Sequence, residues 1–313
     1  MKTYNCIKDF KPVSNPVVTI GTFDGVHIGH QEVFNQMKKE AEAIGGETVI
    51  ITFYPHPRVV LGKDPENLRF IKTEKKKLEH IQKAGIDHLI IIEFTKEFAK
   101  QSSEQFVKEL IVDYIKPKVM IIGYDHHFGK DREGSFDKLI YLGDKYGFKV
   151  KKVEEQDIGE VTISSTKIRK LLNEGNVCMA NKLLGHEYSI TGIVVKGQSI
   201  GHNLGFPTAN IEIEDHYKLI AAVGVYACRV LVDGKLYKGM SNIGYRPTIE
   251  KKKNQTNDIT IEVNIFDFNR SIYGEFITIY FVERMRDEKK FVSKEALSEQ
   301  LGKDKLNALQ LLG

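Results

Sequence analysis

Two stretches of this chain gather residues able to handle phosphate groups. Gly21, Phe23, Asp24, Gly25, His27, Gly29 and His30 fall within one decapeptide, GTFDGVHIGH. It lies between a β-rich run, 17–20, and a segment in which Phe34, Met37, Ala41 and Ile44 recur at helical spacing. Glycines let backbone approach a ligand closely, and a helix N-terminus favours anions. His27 and His30 frame Gly29 and can donate hydrogen bonds to phosphate oxygens, stabilising charge that develops on an α-phosphate and a leaving pyrophosphate. No covalent intermediate is needed if a substrate phosphate is the nucleophile; catalysis is then mainly positioning and electrostatics. A lone HxxH also fits an incidental pair or part of a metal site. Here no cysteine or second acidic cluster completes a zinc set, and the strand–glycine–helix setting favours a nucleotide. Ser164, Ser165 and Thr166 stand at another predicted helix start, followed by Lys167 and Arg169. Alone they read equally as an ordinary hydroxyl N-cap; paired with the histidine motif they become a second phosphate clamp.

The second stretch is 197–210, GQSIGHNLGFPTAN, with Gly197, Gly201 and Gly205 at four-residue spacing. Such spacing suggests backbone wrapping a phosphate. No GxxxxGK[ST] occurs anywhere, which excludes a Walker-type kinase by pattern, and no GxGxxG marks a dinucleotide fingerprint. Thr208 and Asn210 offer two uncharged oxygen ligands that point the same way on an extended segment, and Mg²⁺ commonly accepts few protein ligands. Turn chemistry explains the same composition, and the segment alone does not decide. Downstream, Ile261, Val263 and Ile265 alternate with Thr260, Glu262 and Asn264, so Glu262 sits on the polar face of a predicted strand. A carboxylate there can accept the proton of an attacking hydroxyl, although a solvated strand face is the simpler account of one glutamate.

The elements that must hold these residues change type along the chain. Runs at 17–20, 48–53, 89–92 and 119–122 are nearly continuous in apolar residues, as in strands buried on both faces of a parallel sheet, and 74–84 reads as a helix closed by Gly85. The alternation predicts a doubly wound α/β domain with ligands beyond the carboxyl ends of its strands. From about residue 185 the pattern becomes short alternating segments (190–195, 225–232, 259–265 and 276–281), with Asp233-Gly234 as a hairpin signal. This part reads as an antiparallel barrel, followed by one or two packing helices within 288–312. The polar, basic stretch 250–258 reads as a loop of that second domain.

The 313 residues exceed one typical domain, and 41% hydrophobic with 28% charged residues is a normal globular mix. A net charge of +4, small and scattered, argues only weakly for nucleic acid and suits an enzyme of phosphorylated ligands. Cys6, Cys178 and Cys228 are odd in number and far apart, which fits a reducing compartment. The start lacks a signal-peptide run and no segment approaches the ~20 apolar residues of a membrane span. The expectation is a cytoplasmic enzyme with neither nucleic acid nor membrane as partner; a homo-oligomer is left open.

The HxGH motif with ISSTxIR resembles the nucleotidyltransferase superfamily, and GTFDGVHIGH is similar to the FAD synthetase module of bacterial bifunctional riboflavin kinase/FAD synthetases. Tyr54-Pro55-His56-Pro57 and Gly123-Tyr124-Asp125-His126-His127-Phe128-Gly129 match further blocks of that family in order. LGFPTAN, the block 242–248 and the run 261–268 followed by Tyr273-Gly274 resemble its riboflavin kinase module. His27-Ile28-Gly29-His30 also spells the class I aminoacyl-tRNA synthetase signature, but no KMSKS loop follows.

The resemblance implies an α/β nucleotidyltransferase domain with a Rossmann-like parallel sheet over 1–182. It implies an antiparallel β-barrel with a C-terminal helix over 183–313. By it, riboflavin is phosphorylated to FMN and FMN adenylylated to FAD, with ATP as co-substrate and Mg²⁺ at both sites. In the synthetase, His27 and His30 serve adenylyl transfer. Gly21, Phe23, Asp24, Gly25, Gly29, Ser164, Ser165, Thr166 and Arg169 bind ATP, and Pro55, His56, Pro57, Asp125 and Phe128 line the flavin. In the kinase, Gly197, Gly201, Gly205, Phe206 and Pro207 bind ATP, Thr208 and Asn210 hold Mg²⁺, and Glu262 is the general base. The chain departs from the family at His126-His127, where Phe-Arg is frequent, at His202 for arginine and at Asn264 for histidine. Loss of one activity, a pantetheine or nicotinate adenylyltransferase, and a non-catalytic flavin-binding regulator are the alternatives. The second leaves LGFPTAN and Glu262 without a purpose, and the intact HxGH and Glu262 argue against the third.

Overall fold

The apolar runs form strands where the spacing predicts them. In the computed structural model, β1 (Lys2–Tyr4), β2 (Val17–Ile20), β3 (Thr48–Tyr54), β4 (His88–Glu93), β5 (Val119–Ile122) and β6 (Lys149–Lys152) make one parallel sheet in the order β1-β4-β3-β2-β5-β6. The structure describes residues 1–62, 67–124, 128–130, 133–159, 161–197, 205–245 and 259–313. They divide into two units, Met1–Ser165 and Thr166–Gly313.

The first unit is doubly wound, because alternate side chains of its central strands bury on opposite faces. Val17, Ile50, Leu89, Val119 and Ile121 pack with Phe34, Met37 and Ala41 of α1 (Ile28–Ile44). A one-turn α2 (Pro57–Val60) follows β3, and α3 (Glu74–Lys83) adds Ile81 to the same face. The opposite residues, Val18, Val49, Ile51, Ile90 and Met120, pack with Phe106, Val107 and Ile111. These belong to a π-helical stretch, Phe106–Val112, that continues α4 (Ser103–Gln105). Leu139 and Leu142 of α5 (Phe136–Tyr146) complete that face. Strand order proceeds from β2 through β3 to β4 on one side and resumes with β5 on the other. The carboxyl ends of β2 and β5 therefore flank the switch point, where such sheets bind ligands. A two-stranded hairpin, β7 (Asp157–Ile158) with β8 (Val161–Thr162), precedes the ISST segment.

The second unit begins with α6 (Ser165–Asn173, Ser165 itself belonging to the first unit) and α7 (Val177–Leu184). Six antiparallel strands then close a barrel: β9 (Tyr188–Val195), β10 (Ala209–Glu212), β11 (Gly224–Val232), β12 (Lys235–Tyr245), β13 (Ile259–Ile265) and β14 (Phe276–Arg286). Asp233 and Gly234, both left-handed (φ 48° and 76°), make the predicted turn between β11 and β12. A single helix, α8 (Lys294–Leu312), sets Ala308 and Leu312 against Ala227 and Met240 on the outside of the barrel. Arg286 of β14 and the buried Asp304 of α8 form an ion pair at 2.6 Å that ties helix to wall.

Candidate active sites

The loop from Gly21 to His27 leaves the carboxyl end of β2 and is held in an unusual shape. Phe23, Gly25 and Val26 all have positive φ (52°, 89° and 46°). For phenylalanine and for β-branched valine that conformation costs on the order of 1–3 kcal/mol each and persists only where its surroundings impose it. Here they do. Phe23 and Val26 are buried in the core beneath α1. Gln31 Nε2 donates to the Val26 carbonyl at 2.9 Å. Asp24, 5% exposed, accepts the backbone N–H of Ile71 (3.1 Å) and of Lys72 (3.2 Å) on its two carboxylate oxygens. Ser165 Oγ donates to the Asp24 carbonyl at 2.8 Å, so the hydroxyl motif and the glycine motif meet.

His27 stands at the N-cap position of α1 without a side-chain capping bond, and its ring stacks on that of His30 with centroids 3.6 Å apart. Gly29 leaves room beside the stack, since a Cβ there would lie 3.3 Å from the His27 ring and press on it slightly. Phe23 meets His30 edge-on at 5.2 Å. Burial first, and then the neighbouring His27, hold the His30 imidazole well below its ordinary pKa. At neutral pH it is uncharged and offers one N–H donor, while its buried Nδ1 has no partner among the described residues. Two rings at a helix N-terminus, beside glycine backbone and at the switch point, suit the charge of a transferring phosphate.

Around this centre stand the other predicted residues of the first unit. His56 Nδ1 accepts from Arg58 N at 3.1 Å and caps α2, with Pro57 at its first position. Its ring lies 4.4 Å from that of Phe70. Pro55 and His56 are partly exposed at the end of β3. Phe128 is buried and packs on Phe106 beyond the end of β5. Ser164 and Ser165 close the first unit; Thr166 and Arg169 open the second. Asp125, His126, His127, Gly201, His202 and the basic stretch 250–258 lie outside the described residues.

In the barrel, register gathers the predicted kinase residues. Asn210 of β10 pairs with Glu262 of β13, which pairs with Asn242 of β12, so the three side chains share one face. Met240 and Asn264 pair likewise, which identifies this as the outer face on which α8 packs. Thr208 Oγ1 donates to Glu262 Oε2 at 3.3 Å. A Cβ on Gly197 would fall 2.0 Å from Asn210 Nδ2, so any other residue there would push the Asn210 amide out of its present position. Gly205, at φ 79°, turns the chain into Phe206 and Pro207. These three residues line a cleft of about 470 Å³ with Asn264, Phe266 and Lys305. Asn264 Nδ2 donates to the Pro207 carbonyl at 2.6 Å and so steadies the segment that carries Thr208. Asn242 and Glu288, joined at 3.3 Å at the end of this row, are polar groups that strand patterning does not single out. Another cleft of about 470 Å³, at the amino ends of β5 and β6, contains none of the predicted residues.

Comparisons with known proteins agree with this fold. Residues 10–167 match the family model for FAD synthetase and residues 184–312 that for riboflavin kinase. A Bacillus subtilis protein named bifunctional riboflavin kinase/FMN adenylyltransferase is 39% identical over 94% of this chain and 92% of its own. An Escherichia coli protein of the same name is 33% identical over 96% of this chain and 94% of its own. A solved Streptococcus pneumoniae structure, described as a macrolide-efflux protein, is 31% identical and superposes with a TM-score of 0.87 over 97% of each chain. Among the described residues of the present chain, no helix is long and apolar enough to cross a membrane. With its parallel-sheet unit first and its closed barrel second, the chain belongs to the bifunctional riboflavin kinase/FMN adenylyltransferase family.

Proposed function

We propose that the barrel phosphorylates riboflavin at the Thr208–Asn210–Glu262 row and that the parallel-sheet unit adenylylates the resulting FMN over the loop 21–30. In the first reaction Glu262 takes the proton of the ribityl 5′-hydroxyl, whose oxygen attacks the γ-phosphorus of ATP, and ADP leaves. In the second, a phosphate oxygen of FMN attacks the α-phosphorus of another ATP, giving FAD and pyrophosphate. The observation that carries the kinase assignment is the contact of Thr208 with Glu262 beside its cross-strand partner Asn210, which sets two oxygen donors next to a base.

These donors fit Mg²⁺, a hard cation that takes oxygen ligands and keeps several waters. The space that Gly197 leaves around Asn210 fits the same purpose. Thr208 and Asn210 would hold the ion, which supplies charge neutralisation on the ATP phosphates. In the first unit His27 and His30 face the transferring phosphate, Gly21, Phe23, Gly25, Gly29, Ser164 and Ser165 form the ATP site, and Asp24 supports their loop from behind; the motif that begins at Ser164 continues into Thr166 and Arg169, assigned to ATP by the same family pattern. Pro55, His56, Pro57, Asp125 and Phe128 line the flavin. Gly197, Gly201, Gly205, Phe206 and Pro207 receive ATP in the kinase. Residues 1–182 and 183–313 are the functional modules. The absence of a CxxC pair and three free cysteines support a cytoplasmic setting.

Incubation with riboflavin, ATP and Mg²⁺, with flavins resolved by chromatography over time, tests the reading. FMN should appear first and FAD follow. FMN accumulating alone would remove the adenylyl-transfer assignment. Unchanged riboflavin, with no FAD from supplied FMN, would remove both.

A further inference from the structure

The loop that leads into the two histidines is bent against its own preference, and the group at its centre does not belong to the histidine pair. Asp24 lies between Phe23 and the Gly25-Val26 pair, the three left-handed residues. Its carboxylate reaches 47 and 48 residues along the chain to the amides of Ile71 and Lys72, and its carbonyl receives Ser165 Oγ. One buried residue thus joins three segments: the glycine loop, the chain entering α3 and the ISST motif. The Lys72 ammonium lies on the same structure, hydrogen-bonded to His80 Nε2 at 3.2 Å while His80 Nδ1 bonds the Lys76 carbonyl at 2.9 Å. The attachment is therefore anchored to the first turns of α3, not to a mobile strand of chain.

We infer that Asp24 is a positioning residue for adenylyl transfer. Its side chain fixes the loop in the left-handed shape that stacks His27 on His30, and acts on the reaction through them without touching nucleotide or metal. The inference rests on the adenylyl-transfer reading of this unit. A carboxylate suits this place because the Ile71 and Lys72 groups it meets are both N–H donors. An amide in its place turns one NH₂ against an N–H and loses one acceptor.

Asp24→Asn in the full chain is the test, with riboflavin phosphorylation by the same sample as the control for folding. The kcat for FMN adenylylation should fall about 10²-fold, the usual cost of a small misplacement at a reacting centre. KM for ATP, the Mg²⁺ requirement and the kinase rate should stay at their wild-type values. Wild-type kcat in the variant would overturn the role. So would a rate restored by more ATP or more Mg²⁺, which would put Asp24 on the nucleotide or its metal. Hydrogen exchange on the wild-type chain tests the clamp without substitution, should the variant not fold. The Ile71 and Lys72 amides should exchange slowly, and rapid exchange at both would overturn the proposal. Slow exchange in a wild-type chain that makes no FAD would leave the clamp standing as structure and overturn its catalytic role together with the adenylyl-transfer reading.

Discussion

Glu262→Gln separates a base from a spacer. The amide keeps the length and shape of the side chain, and Glu262 is only half-buried, so the barrel should fold as before. Among the described residues its side chain accepts one hydrogen bond, from Thr208 Oγ1 at 3.3 Å. A bond of that kind contributes about 0.5–1.5 kcal/mol, and glutamine can still accept it. If Glu262 merely steadied Thr208, the rate should drop no more than ~10-fold, the equivalent of about 1.4 kcal/mol. If it accepts the hydroxyl proton, removal should cost roughly 10²–10⁴-fold in kcat, about 2.7–5.5 kcal/mol of barrel-unit catalysis. The two ranges do not overlap. The assay is FMN formation from riboflavin under saturating ATP and Mg²⁺, with FAD formation from supplied FMN as the control. We expect loss of the first by at least two orders of magnitude and none of the second. A wild-type kinase rate would refute the role of Glu262, and a few-fold loss would reduce it to positioning Thr208.

Three other perturbations have defined outcomes. His30→Ala removes a donor at the start of α1 and should lower FAD synthesis by ~10²–10³-fold while riboflavin phosphorylation continues; undiminished FAD synthesis would remove His30 from the mechanism. Arg286→Leu leaves the buried Asp304 without its cation and should destabilise the barrel unit by about 3–5 kcal/mol, read as a lower melting temperature of that unit; an unchanged melt would mean that Gln300, which also donates to Asp304, suffices. Burial lowers the Lys72 amine from 10.5 to about 7 against the favourable pull of Asp24, with Lys76, Glu79 and Lys83 as its other charged neighbours. Between those pH values the unfolded chain binds the proton that the folded one has released, so stability should rise with pH across about 7–10, by ~5 kcal/mol at most. Denaturation of Lys72→Met should lack that part of the slope, and an identical slope in both proteins would refute the buried amine as its source.

What the sequence made legible follows the strength of periodic burial. The runs 17–20 and 119–122 are apolar at every position because both sheet faces are covered, and each forms the strand its composition implies. β1 and β6 were not legible. Lys2–Tyr4 and Lys149–Lys152 are polar edge strands, where exposed lysines hide the pairing that the backbone supplies. The hairpin at Asp233-Gly234 was readable because left-handed φ selects those residue types. The π-helical turn at 106–112 has no compositional signature. At the sites, residue type indicated which groups could act, but not which met. Glu262 on a polar face is an ordinary strand glutamate until register sets it between Asn210 and Asn242. Asp24 reads as an ATP-site residue in GTFDG; that its carboxylate also accepts from two amides beyond residue 70 is a pairing that only tertiary structure creates.

On the proposed reading, the two sites reach similar chemistry by different backbone devices, and the difference follows from what each must position. Adenylyl transfer leaves a pyrophosphate, so its centre needs donors aimed at anionic oxygens. A parallel sheet supplies them where a glycine loop runs into a helix N-terminus, and the left-handed turn at Phe23 and Val26 keeps the donors from relaxing away. Phosphorylation of a neutral hydroxyl needs, in addition, a base at a fixed distance from the metal ligands. Antiparallel register would supply that distance to the proposed base and ligand: strands about 4.8 Å apart set Asn210, Glu262 and Asn242 in a row with no loop to move them. Asn264, reaching from the same face to the Pro207 carbonyl, then steadies the segment next to Thr208, the member of the Thr208–Asn210–Glu262 group that lies off the strands. By this reasoning rigidity is invested in each site where its own regular structure stops, at Asp24 in the sheet unit and at Asn264 in the barrel. Substitutions at those two residues should damage kcat more than their distance from the reacting atoms suggests.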